Sequence, residues 1–361
     1  MGFLRKAAKV IAINAAVLML LVVLVEGAAS VSIVTHRILT NRGVAEQYHS
    51  RHDETLGWVA LPNVDLRDHY GPGAHLRTNS QAFRSDRDFA RAVPAGKTRI
   101  ICVGDSFTLG FGVSNDQAWC HRLGAIDPRF ETVNMGQGGY GVDQAYLWYL
   151  RDGAALDHQV LLFGFITDDF DRMQVERFLG YAKPVLDLRG DSIVITNHPV
   201  RKTSRFTRWR AANGHAIGNL LVIQLGYRIA GRLSRSTPVQ IRTDSATARE
   251  ARARRVSAKI FEHLARVTRD KGGRLVLVYL AGPGDYRGSA STTAWQRFVH
   301  DEAARQAIPV IDFVEIFRRV PPAEINAMFA PNSHYSVQGN EFVAKTLLEK
   351  LPRVLGNASA R

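Results

Sequence analysis

The sequence predicts an α/β protein in which a parallel β-sheet carries helices on both faces, preceded by a membrane-spanning helix. Three observations predict it. Short apolar runs alternate with stretches of helical length from residue 98 onwards, polar candidate residues stand at the ends of those runs, and a long apolar segment occupies the N-terminus. Alternating strands and helices are typical of parallel sheets, whose sites lie beyond the carboxyl ends of the strands.

Five apolar runs are interpreted as the strands of that sheet. They are RIICV (Arg99–Val103), FETVNMG (130–136), HQVLLFGFI (158–166), RLVLVYL (Arg274–Leu280) and IPVIDF (Ile308–Phe313). A helix is predicted to begin at Asn115-Asp116, because both residues are good N-caps, and to run through WCHRLGAI. A second helix is predicted from Asp143 to about Arg151.

The stretch from about residue 172 to 245 interrupts this alternation and is interpreted as an insertion. Residues 185–197 predict a hairpin that turns at Gly190-Asp191, and residues 217–233 predict an amphipathic helix. Segment 201–255 holds thirteen Lys or Arg against two acids, in a chain of net charge +14. Such a segment favours an anionic lipid surface or an acidic glycan, or it is a solvated helix face without a partner. Nucleic acid is not expected, because the chain has a membrane segment.

The N-terminus has the pattern of a membrane anchor. Arg5, Lys6 and Lys9 precede an apolar run, so residues 1–9 are predicted as a cytoplasmic tail and 10–34 as a transmembrane signal-anchor. A cleaved signal peptide is the alternative, since Gly27 to Ser30 are small. The anchor predicts a single-pass protein of the bacterial inner membrane with the rest of the chain on the periplasmic side. Either arrangement places that part of the chain outside the cytoplasmic membrane.

Residues 35–97 form a polar lead-in, read as short strands and loops, before the α/β domain of residues 98–361. The lead-in contains LGWVALPN (56–63) and TNSQAFRSD (78–86). Two cysteines, Cys102 and Cys120, are too few for a disulfide scaffold. Cys102 lies in an apolar run, so a buried free thiol is expected, with a bridge to Cys120 as the alternative.

Two residues suit nucleophilic catalysis. Ser106, in VGDSFTLG, directly follows a predicted strand, where a tight turn exposes a serine and backbone N–H groups can stabilise an oxyanion. His334, in NSHYSVQGN, precedes the last helix, predicted to be capped near Ser336, and can act as the base of that serine. Gly139, in NMGQGGYG, is a candidate second oxyanion donor, although such glycines also simply form turns.

No cofactor and no metal is expected. The glycine cluster lacks the spacing and the lysine of a phosphate-binding loop, and the Cys/His spacings of zinc sites are absent from the sequence.

These motifs resemble those of the SGNH (GDSL-type) hydrolases. VGDSFTLGFGV resembles the first block, Gly139 five residues after Asn134 the second, FITDDFD the third, and NSHYSVQGN the histidine block. The LGW, TNSQAFR and YAKP elements resemble a bacterial, membrane-tethered branch linked to envelope polysaccharides. The resemblance implies a three-layer α/β/α sandwich of the flavodoxin-like kind. It also implies hydrolysis or transfer of ester-linked acyl groups, commonly acetyl.

Two positions depart from the family pattern. The oxyanion-binding Asn of the third block is matched here by Asp168, and Asn332 and Pro331 stand where an orienting Asp is expected. A carboxylate about 4 Å from the oxyanion, at an effective dielectric near 20, opposes it by about 4 kcal/mol, or roughly three decades of rate. Catalysis then requires Asp168 to be protonated, displaced, or replaced as donor by Thr167. Asn332 or a backbone carbonyl must orient the histidine.

The sequence therefore predicts a serine esterase that acts on ester-linked acyl groups of a carbohydrate or a lipid. Ser106 and His334 would be catalytic, and Ser106, Gly139 and Asp168 would form the oxyanion hole. An O-acetyltransferase, a lipid esterase, and a catalytically impaired envelope protein that binds a glycan or a partner remain alternatives.

Overall fold

The computed structural model describes residues 2–40, 46–210 and 243–355. The chain divides into two compact units, one of Met1–Ala45 with Thr203–Thr243 and one of Glu46–Lys202 with Asp244–Arg361. The helix predicted at 217–233, and with it much of the basic segment, lies outside the described residues.

The first unit contains a long apolar helix, α1 (Gly2–Thr40). Its window Lys9–Ile33 spans 25 residues with a mean hydropathy of 2.5, and none of it is buried. At 1.5 Å per residue this window is about 37 Å long, more than the hydrocarbon thickness of a bilayer. The N-terminus therefore has one helix that is long and apolar enough to span a membrane.

The second unit is built around a five-stranded parallel sheet. Four short strands precede it as two antiparallel pairs: β1 (Ser50–Asp53) with β2 (Gly57–Ala60), and β3 (Asp65–Leu66) with β4 (Leu76–Arg77). The sheet strands are β5 (Thr98–Gly104), β6 (Phe130–Gly136), β7 (Val160–Phe165), β12 (Arg274–Tyr279) and β13 (Val310–Asp312). Between β7 and β12 lie two hairpins, β8 (Arg177–Phe178) with β9 (Tyr181–Ala182), and β10 (Leu186–Arg189) with β11 (Ser192–Ile195).

Helices connect the strands. They are α2 (Glu46–His49), α3 (Ser106–Leu109), α4 (Trp119–Ile126), α5 (Val142–Arg151), α6 (Thr167–Arg172), α7 (Thr243–Asp270), α8 (Ala290–Arg305), α9 (Phe313–Arg318), α10 (Pro322–Ile325) and α11 (Val337–Leu355). Short 3₁₀ turns cover Asn115–Gln117, Gly153–Ala155 and Asn326–Met328. The α/β class and the parallel sheet are thus as predicted.

The strand order, β13-β12-β7-β5-β6, places the site. The chain moves from β5 to β6 in one direction and then returns across β5 to β7. Because crossovers between parallel strands are right-handed, this reversal puts helices on opposite faces of the sheet, giving three layers. It also creates a crevice between the carboxyl ends of β5 and β7, where ligands of open α/β sheets bind. Ser106 follows β5, and Thr167 follows β7.

The predicted strands agree with the observed ones to within about two residues, as element boundaries generally do. The hairpin at Gly190-Asp191 is confirmed, with Arg189 opposite Ser192. The last helix begins at Val337, and the Ser336 hydroxyl accepts a bond from the Gly339 N–H at 3.1 Å, so that cap is also confirmed.

The helix predicted to begin at Asn115-Asp116 begins instead at Trp119. Asn115 lies in a separate 3₁₀ turn, and its side chain does not cap a helix. Its Oδ1 accepts bonds from Arg84 Nε at 2.8 Å and from the Arg77 N–H at 3.1 Å. A long-range polar contact therefore outweighs the local capping preference.

The expectation of a free thiol at Cys102 is wrong. Cys102, on β5, and Cys120, on α4, form a disulfide with a Cα–Cα distance of 6.2 Å. This distance is within the range that a disulfide requires. The sequence shows the separation of the two cysteines but not that α4 folds back over the sheet, so it could not reveal the bond.

Candidate active site

Ser106 lies on a tight turn between β5 and α3. Asp105 caps that short helix, its Oδ1 accepting from the Phe107 N–H at 2.8 Å. The strand ends at Gly104, where an added Cβ would come within 2.6 Å of the Gly164 carbonyl oxygen. The turn therefore requires glycine at 104, and the serine starts the helix directly beyond the sheet edge.

The structure brings Ser106 and His334 together. His334 Nε2 lies 2.8 Å from Ser106 Oγ, although the two residues are 228 positions apart in the chain. On the other side of the ring, Nδ1 lies 3.0 Å from the Asn332 carbonyl oxygen. A carbonyl oxygen can only accept a hydrogen bond, so Nδ1 carries the proton and Nε2 of the neutral ring accepts from the serine hydroxyl.

Asn332 contributes its backbone, and not its side chain, to the histidine ring. Its side-chain Oδ1 accepts from the His334 N–H at 3.1 Å and so stabilises the loop. The intervening Ser333 has φ 66°, in the left-handed region, which lets the chain turn the Asn332 carbonyl towards the ring. Among the described residues no carboxylate is hydrogen-bonded to Nδ1, in agreement with the departure noted in the sequence.

Two phenylalanines enclose the imidazole. The ring centroids of Phe107 and Phe111 lie 4.9 and 4.6 Å from that of His334. This burial lowers the pKa of His334 below its usual value, the Asp105 carboxylate opposes the shift, and the Arg172 charge adds to it. A lowered pKa leaves the ring neutral, as a general base must be, at neutral pH.

Gly139 lies on the loop after β6, beside the nucleophile turn. Its φ is 76°, and an added Cβ would come within 2.7 Å of Leu179 Cδ1, so the position requires glycine. The loop is tied to the start of the turn because the Gln137 N–H donates to the Gly104 carbonyl at 3.1 Å. On β6 itself, Asn134 Nδ2 donates to the Thr108 carbonyl at 3.0 Å. Within the ranges that the structure describes, neither the Ser106 N–H nor the Gly139 N–H donates to a protein acceptor. Both are thus available to a bound oxyanion.

Asp168 lies at the rim of this site, on the first turn of α6. The residue as a whole is exposed, while the protein around its carboxyl group removes enough water to raise its pKa. The charge of Arg172 opposes this rise, and Asp285 and Asp105 add to it. A raised pKa means that protonation begins at a higher pH than for an ordinary aspartate.

The Thr167 hydroxyl is engaged elsewhere. It shares a hydrogen bond of 2.9 Å with the Tyr279 hydroxyl and lies 3.5 Å from Thr292 Oγ1. Thr167 is itself buried. The structure therefore does not favour Thr167 as a replacement oxyanion donor.

The lead-in segment, which sequence reasoning left outside the site, supports the loop that carries Gly139. Trp58 Nε1 donates to the Gly138 carbonyl at 3.0 Å, and the Tyr140 hydroxyl donates to the Trp58 carbonyl at 2.5 Å. Gln144 Nε2 donates to the Leu56 carbonyl at 2.7 Å. The tryptophan of the LGW element thus fixes both sides of Gly139.

Arg84, from the TNSQAFR element, supports the other loop. It is 1% exposed, and its Nη1 donates to the Gly110 carbonyl at 2.7 Å. It also donates to the carbonyls of Leu109 and Val113. Burial lowers the pKa of Arg84, and the ring of carbonyl acceptors compensates the buried guanidinium. Sequence reasoning missed this role, although an arginine in a loop of small polar residues is a signal that could have suggested it.

Arg172, at the end of α6, is a further residue that sequence reasoning missed. Its Nη1 donates to Asp105 Oδ2 at 3.0 Å and to Asp169 Oδ1 at 2.6 Å. Asp169 is buried, and burial raises its pKa well above the usual value. In the part of the chain that the structure describes, no group of three or more His, Cys, Asp or Glu could hold a metal ion.

Comparisons with known proteins give structural likenesses only. No family model matches the chain, and no curated protein matches it. A lipolytic protein of the G-D-S-L family from Veillonella parvula is 15% identical, with 71% of this chain and 99% of that one covered and a TM-score of 0.39. An acetylxylan esterase from Geobacillus stearothermophilus is 12% identical, with coverages of 72% and 97% and a TM-score of 0.40. A lipase/acylhydrolase from Enterococcus faecalis is 12% identical, with coverages of 70% and 95% and a TM-score of 0.39. At these values the likeness by itself assigns no function to the chain.

Proposed function

We propose that the protein is a serine esterase in which Ser106 is the nucleophile and His334 its base. The observation that supports this most directly is the 2.8 Å contact between Ser106 Oγ and His334 Nε2 at the crevice of the sheet. The tautomer supports it as well, because the Asn332 carbonyl keeps the proton on Nδ1. A serine hydroxyl next to a neutral imidazole is the arrangement that activates a nucleophile.

The reaction proceeds through an acyl-enzyme. Ser106 Oγ attacks the ester carbonyl carbon while His334 Nε2 takes the hydroxyl proton, and the backbone N–H groups of Ser106 and Gly139 donate to the oxyanion. As the tetrahedral intermediate collapses, His334 gives the proton to the departing alkoxide. Water then attacks the acyl-enzyme with the same proton transfers, releasing the carboxylic acid and restoring the serine.

The proposed substrate is an acylated carbohydrate, with acetyl as the acyl group, on the periplasmic side of a bacterial inner membrane. The N-terminal helix supports the membrane location, since Arg5 and Lys6 precede its apolar window and Lys9 begins it. The resemblance of the LGW, TNSQAFR and YAKP elements supports the polysaccharide. The reaction steps involve only residues of the cleft. The mechanism therefore does not depend on the identity of the substrate or on the membrane location.

The experiment measures hydrolysis of p-nitrophenyl acetate by the full chain purified in detergent. The expected result is turnover by the unchanged chain and its loss in Ser106→Ala. Ser114→Ala is the matched control, because that serine bonds to the Gly73 carbonyl and to no residue of the site. Equal turnover by Ser106→Ala and the unchanged chain would contradict the proposal.

A second function, binding without catalysis, is favoured by two observations. Asp168 at the rim of the site and the missing carboxylate behind His334 both lower the catalytic power of this arrangement. An envelope protein of this kind would bind an acidic polysaccharide with an affinity that falls as salt rises, and would not turn over the ester.

We further propose that the segment 203–210 lies on an anionic lipid surface. It carries three arginines and no acid, and its aromatic side chains Phe206 and Trp209 are 68% and 45% exposed. Their rings stack at 6.1 Å, so they form one apolar face among cations. Exposed aromatic rings with basic neighbours are typical of segments at a membrane interface.

Quenching of Trp209 fluorescence by brominated lipid tests this surface. The other four tryptophans are at most 2% exposed, so quenching in proteoliposomes of the full chain reports on Trp209. Strong quenching is expected in phosphatidylglycerol vesicles, weaker quenching in neutral ones, and none in Trp209→Phe. If Trp209 fluorescence is quenched in neither kind of vesicle, the lipid proposal is contradicted. If an added acidic polysaccharide prevents the quenching of Trp209, a glycan is favoured as the partner.

A further inference from the structure

One guanidinium group contacts the three segments that follow β5, β6 and β7. Arg172 Nη1 lies 3.0 Å from Asp105 Oδ2, 3.2 Å from the Tyr140 carbonyl oxygen and 2.6 Å from Asp169 Oδ1. Asp105 precedes the nucleophile, and Tyr140 follows the Gly139 donor. The same side chain therefore joins the loop after β5, the loop after β6 and the first turn after β7.

The surroundings of Arg172 hold its side chain in place. The side chain is 13% exposed, and its guanidinium carbon lies 5.1 Å from the centroid of the Phe178 ring. Phe178 and Leu179 are also the residues that would meet a Cβ at position 139. A planar guanidinium can donate in several fixed directions while stacking on a ring, which the point charge of a lysine cannot do.

Arg172 is also the cation nearest to several carboxyl groups. Its charge acts on Asp168, Asp169 and Asp105, and the charge of Asp285 reaches the same region. Asp105 Oδ2 in turn lies 3.4 Å from Ser106 Oγ. Without the guanidinium, the field at the nucleophile would be that of uncompensated carboxylates, which opposes a developing oxyanion.

We propose that Arg172 is a positioning residue that aligns the two backbone oxyanion donors and offsets the charge of Asp168. The inference rests on the proposed esterase function. Arg172 fixes the turn of Ser106 through Asp105 and the loop of Gly139 through Tyr140, so both N–H groups point to one place. Its positive charge substitutes electrostatically for the amide donor that Asp168 does not supply.

The test compares Arg172→Gln and Arg172→Lys with the unchanged full chain in detergent. The readouts are kcat and KM for p-nitrophenyl acetate, and the rate of Ser106 labelling by a fluorophosphonate, from about pH 5 to about pH 9. Arg172→Gln is expected to lower kcat about 100-fold and to change KM less than about threefold, because misplacement by about 1 Å costs roughly that factor. Arg172→Lys keeps the charge without the three contacts, and an intermediate loss of about tenfold is expected.

The pH profile separates positioning from a general loss of stability. Arg172 disfavours the protonated form of His334, so its removal is expected to move the acid limb of the labelling rate to higher pH. A variant that is merely less folded would lose amplitude without moving the limb. Arg151→Gln is the matched control, since Arg151, at the end of α5, pairs with Asp53 and Asp152 and with no residue of the site, and its limb should not move.

A double-mutant cycle with Asp168→Asn tests the electrostatic part. If Arg172 offsets Asp168, then Asp168→Asn should raise kcat at least about tenfold more in the Arg172→Gln background than in the unchanged chain. An equal gain in both backgrounds would overturn this part of the inference. Unchanged kcat and an unmoved limb in Arg172→Gln, with normal labelling of the unchanged chain, would overturn the inference alone. Absence of labelling in the unchanged chain would overturn the proposed function, and the inference with it.

Discussion

The segments on the two sides of the crevice differ in the charge of their functional groups. After β5, the reacting groups are neutral: the Ser106 hydroxyl meets the His334 ring at 2.8 Å, a backbone carbonyl holds the far side of that ring at 3.0 Å, and the neighbouring Asp105 carboxylate is paired with Arg172. After β7, charges dominate, because Asp168 and Asp169 are adjacent and both have raised pKa values. The first side holds the nucleophile and its base, whereas the second side holds adjacent carboxyl groups whose charge a cation must offset.

This contrast indicates which changes should be severe and which should be beneficial. Changes on the neutral side remove groups that take part in bond making. Replacing the carboxylate of Asp168 on the charged side removes an opposing field, so that substitution can increase the rate. Loss of a reacting group and loss of an opposing carboxylate should therefore change the rate in opposite directions.

The largest effect is expected for His334→Gln, which leaves Ser106 without a base. We expect kcat for p-nitrophenyl acetate to fall by about 10⁴-fold or more, as for loss of the base in related mechanisms. His263→Gln is the control, since that ring contacts the Tyr146 hydroxyl on α5. A His334→Gln variant within about tenfold of the unchanged chain would show that the neutral side is not catalytic.

Asp168→Asn should act in the opposite direction and sharpen the contrast. Removing the carboxylate should raise kcat by about tenfold to 100-fold at a pH where Asp168 is ionised, less than the full Coulomb penalty because Arg172 offsets part of it. The unchanged chain should also lose activity as pH rises through the raised pKa of Asp168, and the variant should not. A lower kcat in the variant would mean that the Asp168 carboxyl group assists the reaction.

Asn332→Ala separates the backbone from the side chain of that residue. The ring contact is made by the carbonyl oxygen, which alanine retains, while the bond from Asn332 Oδ1 to the His334 N–H is lost. A decrease of about tenfold in kcat is expected, far below the roughly 10⁴-fold loss of an orienting carboxylate in a triad. A loss as large as that of His334→Gln would show that the side chain orients the ring.

Trp58→Phe should give the smallest effect, because it changes only the support of the Gly139 loop. The variant loses the bond from Trp58 Nε1 to the Gly138 carbonyl and keeps an aromatic ring. We expect kcat to fall about threefold to tenfold and the free energy of unfolding by about 1 kcal/mol. Trp148→Phe makes the same chemical change at a bond to Asp152, so it should cost similar stability and leave kcat unchanged.

Much of the fold could be predicted from the sequence, because apolar runs bounded by polar turns mark buried parallel strands. All five sheet strands lie where those runs predict them. The proximity of Ser106 and His334 was predicted from their positions after β5 and before the last helix. Their catalytic roles stay predictions. Such positions can be predicted because the end of a strand is marked by the residues next to it in the sequence.

Contacts between distant segments could not be predicted in the same way. Arg84 and Trp58 both lie in the segment that was interpreted only as a lead-in. Arg84 bonds to the loop of Gly110, and Trp58 bonds to the loop of Gly139. The Cys102–Cys120 bond and the use of Asn115 as an acceptor have the same origin. In each case tertiary geometry decides the partner, and a single sequence gives no measure of that geometry.

The most direct test of the account is labelling of the full chain by a fluorophosphonate, with the labelled residue identified by mass spectrometry. We expect a single adduct on Ser106 that forms rapidly in the unchanged chain and is absent in Ser106→Ala. It should form at least about 10³-fold more slowly in His334→Gln, because the hydroxyl then lacks its base. No adduct on Ser106 of the unchanged, folded chain, or an equal rate in His334→Gln, would contradict it.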